Sequence, residues 1–72
     1  MSDSIRVYVN ARPVVVARDA TILDAIRSYD APTADLVAAG ERALTDSRGL
    51  PLAHDDLAYA GAIVRIVSGR KA

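Results

Sequence analysis

The sequence predicts an α+β domain in which a mixed sheet of four or five strands packs on one helix. Three observations carry this. "IRVYVN" and "PVVVA" near the start have the alternation and β-branched density of a hairpin. "RDATILDAIRSYD" then changes to a helical period. "AIVRIV" near the end returns to alternation. A length of 72 residues fits one domain, structured over about 4–68 with a short tail at 69–72.

Each element has a local cause. In the first strand, about 4–10, Ile5, Val7 and Val9 point one way and Arg6 and Tyr8 the other. "NAR" is a polar break in which Asn10 can take a turn conformation. The second strand, about 13–17, begins at Pro13, a position a strand start tolerates. Thr21 followed by Asp24 has the form of a capping box with Asp in place of the usual Glu. It opens a helix at about 22–30 on which Ile22, Leu23 and Ile26 share a face and Tyr29 joins its far edge. Pro32 ends that helix by disfavouring helical geometry in the residue before it.

The stretch "ADLVAAGERAL" has two readings. One is a second helix capped by Thr33. Gly40 in its middle would cost about 1 kcal/mol relative to alanine. The other, preferred here, is a strand at "LVAA", a turn at "GE" and a strand at "RALT". "DSRG" is a β-turn with Asp46 first and Gly49 fourth. "LPLAHDDLAYAG" is a connecting loop with one helical turn near "HDDL", and Gly61 opens the last strand.

Composition excludes several function classes. With no cysteine and a single histidine, His54, neither thiolate nor multi-histidine metal sites can form, so no metal or cofactor is expected. Nine basic residues balance nine acidic ones, and eight of the nine are arginine. A neutral domain has no general attraction for nucleic acid or an anionic membrane, so neither is expected as a partner. The apolar runs fall far short of a bilayer span and the N-terminus lacks signal-peptide character, which points to a cytoplasmic protein. His54, Asp55 and Asp56 are too few ligands for a defined site and read as a solvated loop. Nothing supports nucleophilic catalysis, and a chain this short is not expected to hold a pocket of ~300 Å³ or more. The chain is therefore expected not to be an enzyme.

Beyond element order, "VNARPVVVARDATILDAI" resembles a recurrent opening of the β-grasp, or ubiquitin-like, fold, and "AGAIVRIV" resembles its closing strand. Similar openings occur in bacterial sulfur carriers of thiamin and molybdopterin synthesis, including the small-subunit group of molybdopterin synthase. They also occur in plant-type ferredoxins and TGS domains. A ferredoxin would need cysteines that "DAPTADLVAAG" lacks, and TGS domains sit inside larger nucleotide-binding enzymes. The carrier resemblance implies a C-terminal Gly-Gly whose carboxylate an adenylating enzyme activates. This sequence has Ser68 and Gly69 followed by three more residues. A carrier or protein modifier would therefore need trimming to Gly69.

The β-grasp resemblance implies that the first and last strands are neighbours at mid-sheet. Val64 and Ile66 then face the helix, while Ile63, Arg65 and Val67 join Arg6 and Tyr8 on the outer face. An aromatic anchor, apolar side chains and two arginines are the residue types of binding hot spots. The favoured reading is a non-catalytic binding or accessory module whose protein partner, a second copy included, docks on Arg6, Tyr8, Ile63, Arg65 and Val67. The alternative is the carrier acting through Ser68 and Gly69.

Overall fold

The computed structural model describes residues 3–68. Strand β1 (Ser4–Val9) turns into β2 (Arg12–Ala17) through Asn10 and Ala11, which both have positive φ, 49° and 68°. Two such residues between paired strands are the pattern of a hairpin turn whose twist matches its strands. Helix α1 (Ile22–Tyr29) follows, then helix α2 (Ala31–Ala38), β3 (Arg42–Thr45), β4 (Pro51–Leu52) and β5 (Ile63–Ser68). The strands form one mixed sheet in the order β2-β1-β5-β3-β4. β1 and β5 are parallel at its centre, and the other neighbours are antiparallel.

The expected capping box is present. The Asp24 N–H donates to Thr21 Oγ1 and the Thr21 N–H to Asp24 Oδ2, each at 3.1 Å. Two further N–H groups of the first turn reach the loop after β4. Ile22 donates to the Asp56 carbonyl and Leu23 to the His54 carbonyl, both at 2.8 Å. The "HDD" stretch thus acts through its backbone, satisfying helix-end donors that would otherwise be orphaned.

The preferred strand at "LVAA" is overturned, and with it the expectation of one helix. Residues 31–38 are α2, capped by Asp30 and not by Thr33: the Asp30 carboxylate accepts from the Thr33 N–H. Asp30 itself is extended (φ −166°) and breaks the path between the helices, while Ala31, the residue before proline, is helical. Pro32 is in the first turn of α2, where a missing N–H forfeits no intrahelical bond. Gly40 lies past the helix end at φ 83°; it donates to Val37 O and Glu41 donates to Leu36 O, the paired bonds of a Schellman ending. A second correction is β4, a two-residue strand inside the expected connecting loop. "RALT" is a strand as expected, and the "HDDL" turn is closed by Asp56 N–H to Ala53 O at 3.2 Å.

The core lies between the helices and one sheet face. Val7, Val9, Val64, Ala25, Ile26 and Ala34 are wholly buried, with Ile22, Val37 and Leu44 nearly so. Ile5, Leu23, Tyr29 and Ile66 pack against its margin. Of the expected inward sets, Val7, Val9, Val64, Ile22 and Ile26 are buried, Ile5, Ile66 and Leu23 are only partly so, and Ala25 takes the place on α1 that was expected of Leu23.

Candidate functional site: the outer face of the sheet

Parallel pairing of β1 with β5 sets Tyr8 beside Ile63 and Val9 beside Val64. Strand alternation then turns Tyr8 and Ile63 outward as it turns the two valines inward. Tyr8 is half-buried and Arg6 and Arg65 are exposed. Ile63 remains 46% accessible and Val67 38%.

Of the five residues expected on this face, three come together: Tyr8, Ile63 and Arg65. Arg6 lies two residues before Tyr8, and Val67 two residues beyond Arg65. The arrangement is therefore a stripe along the strands. Val67 has Ala43 of β3 as its neighbour, because β1 ends before reaching it. Ser68 ends β5 and is exposed. Gly69 lies outside the described residues.

Sequence reasoning missed the contribution of β2. Its pairing sets Val15 opposite Arg6 and Pro13 opposite Tyr8, and Val15 is 60% accessible. The signal was available, because burial of Val14 and Val16 forces Val15 outward. Two shallow depressions flank Tyr8. One, of about 650 Å³, lies between Tyr8, Ile63, Arg65 and the turn residues Asn10, Ala11 and Ser47. The other, of about 390 Å³, is bounded by Arg6, Val15 and the Ala60-Gly61 turn. Both are open depressions between turns and strand ends, over the sheet and not within the core.

Asn10 is more than a turn former. Its N–H donates to Val64 O at 2.9 Å, and its side-chain Oδ1 accepts from the Ile66 N–H at 3.0 Å. The side chain stands in for the backbone of a longer β1 and extends the pairing of the central strands. On the rim, Asp46 Oδ1 accepts from the N–H groups of Arg48 (2.8 Å) and Leu50 (2.9 Å). The Leu50 amide, then those of Arg48 and Gly49 and the Arg48 charge, outweigh desolvation and hold its pKa below the ordinary 3.8.

Charge is segregated. Strands β1, β2, β3 and β5 each carry one arginine, and all nine acidic residues of the chain lie outside the strands. Among the described residues the ion pairs are Arg27–Asp35 at 3.8 Å and Arg48–Asp46 at 4.0 Å, so Arg6 and Arg65 have no carboxylate within reach. The described residues hold no group of three or more His, Asp or Glu side chains placed to bind a metal ion. They include no helix long and apolar enough to cross a membrane. No protein-family model, curated protein or solved structure gives a significant match to this chain.

Proposed function

We propose that this chain is a non-catalytic β-grasp module that binds a protein partner on the outer face of its sheet. The observation that carries the reading is the uncovered stripe in which Tyr8 and Ile63 lie side by side at mid-sheet, with Val15 and Val67 exposed on either side. Both helices pack on the opposite face, and no described element covers this one. A tyrosine with an arginine on either side of it is made of the residue types enriched in binding hot spots. The β-grasp assignment is supported by the hairpin-then-helix order and by the parallel pairing of first and last strands at the sheet centre.

The test is a pair of substitutions, Tyr8→Glu and Val67→Glu, measured for partner binding alongside thermal unfolding. Binding is expected to fall by at least about 30-fold for Tyr8→Glu, the scale of a central hot spot. Normal binding by both variants would sink the docking face. Gly69→Trp separates this reading from a carrier role: a docking module tolerates it, whereas a tail that must be activated and threaded does not.

A further inference from the structure

We infer that the outer face takes an acidic protein segment, one that presents two carboxylates about 13 Å apart with an apolar side chain between them. This rests on the docking reading above and adds the chemistry of the partner. The spacing follows from register. Arg6 precedes Tyr8 by two residues, Tyr8 pairs with Ile63 in parallel, and Arg65 follows Ile63 by two. The two guanidinium-bearing positions are therefore offset by four residues, about 13 Å at the rise of a strand. The apolar pair Tyr8–Ile63 lies midway. An extended segment matches that spacing with about four residues, and a helix with about nine.

Charge selects the partner. The chain is neutral overall, yet its strands carry arginine and no carboxylate, and among the described residues neither Arg6 nor Arg65 has a carboxylate in ion-pair contact. A second copy docking face to face would bring four unpaired guanidinium groups into one interface, and such like-charge contacts select against wrong partners. A single-stranded nucleic acid would need stacking platforms and a basic surplus. This face has one half-buried tyrosine, and its other apolar side chains are aliphatic. An acidic protein segment satisfies both the arginines and the aliphatic surface.

The experiment is selection of a displayed random library of 16-residue peptides on the immobilised full chain, followed by affinity measurement of the enriched peptides on variants of matched thermal stability. Enriched peptides are expected to be acidic, with an apolar residue between the acids. Their affinity should be lost on Tyr8→Glu, fall about two- to fivefold on Arg6→Gln or Arg65→Gln, and weaken with added salt. Neutral or basic peptides lost on Tyr8→Glu would overturn the acidic partner and leave the docking face standing. Peptides indifferent to Tyr8→Glu, or no enrichment at all, would overturn both. Tighter binding of a mixed-sequence single-stranded oligonucleotide, or a dimer in sedimentation abolished by Tyr8→Glu, would overturn the acidic segment.

Discussion

The two faces of the sheet share β-branched aliphatic side chains and differ in what covers them. On the inner face Val7, Val9 and Val64 are wholly buried; on the outer face Ile63, Val67 and Val15 keep from 38% to 60% of their surface. Both faces use β-branched aliphatic side chains, which suit a strand whether or not anything covers it. What separates them is the pair of helices, whose buried residues Ile22, Ala25, Ile26, Ala34 and Val37 close over the inner face. Strand alternation thus builds two similar apolar surfaces, and the placement of the helices decides which becomes core. The other is left for a partner, with arginine and tyrosine placed among its aliphatic side chains.

One substitution made on each side gives the largest contrast. Ile26→Ala empties a wholly buried site and is expected to destabilise by about 2–5 kcal/mol. That is a large share of the roughly 4–11 kcal/mol typical for a chain of this length. Ile63→Ala removes the same atoms from a site that is 46% accessible and should change stability by about 0.5 kcal/mol or less. Denaturant titration of both checks this. Equal losses would mean that the outer face is covered by something and is not a free surface.

The turn at one end of the central strands supplies the next two effects, because it is held by hydrogen bonds instead of burial. Asn10→Ala removes the acceptor for the Ile66 N–H and a residue that tolerates the left-handed region, a loss of about 1–2 kcal/mol. Asn10→Gly, which keeps the turn and removes the acceptor, isolates the hydrogen bond, and loss of Ile66 amide protection is the direct readout. Ala11 works in the opposite sense. At φ 68° its Cβ is strained, and the favoured residue there is glycine. Ala11→Gly should stabilise the hairpin by about 0.5–1 kcal/mol, since relief of strain exceeds the added freedom of the unfolded chain. A rise in unfolding midpoint checks it; a fall would mean that the methyl group makes packing contacts worth more than the strain.

The contrast between the faces was largely legible in the sequence, because it rests on period. The alternation of Ile5, Val7 and Val9 against Arg6 and Tyr8 determines which side chains are buried, and Thr21 with Asp24 marks the start of α1. The second helix was one of two readings of its stretch, and the choice went to the strand for a local reason. Pro32 and Gly40 are breakers inside a helix and are tolerated at its first turn and just past its end. Choosing between those roles depends on Asp30, which closes one helix and caps the next. The two-residue β4 has too little sequence to carry a period. At the candidate site, the pairing of Tyr8 with Ile63 depends on register and not on composition. The tie from Asn10 to Ile66 spans 56 positions, beyond any local pattern.

The smallest expected effect is confined to the rim of the outer face. Asp46 holds the turn between β3 and β4 through the amides of Arg48 and Leu50, and its pKa lies below the ordinary 3.8 because those bonds favour the charged carboxylate. A group whose pKa is lowered by folding binds its proton more readily in the unfolded chain. The stability it confers is therefore fully present above the unfolded value near 3.8 and is lost as pH falls through the lower folded value. Between pH 7 and 5 the turn should not change. Below about pH 4 the Arg48 and Leu50 amides should lose protection and shift together, while Val7, Val9 and Val64 on the inner face stay protected. Asp46→Asn keeps an acceptor oxygen and removes the titration, so its acid transition should vanish while the turn persists. An NMR pH titration of the two amides reads this directly. A shared midpoint at or above 3.8 would mean that the amides do not favour the carboxylate, and that the rim is set by the β3–β4 pairing alone.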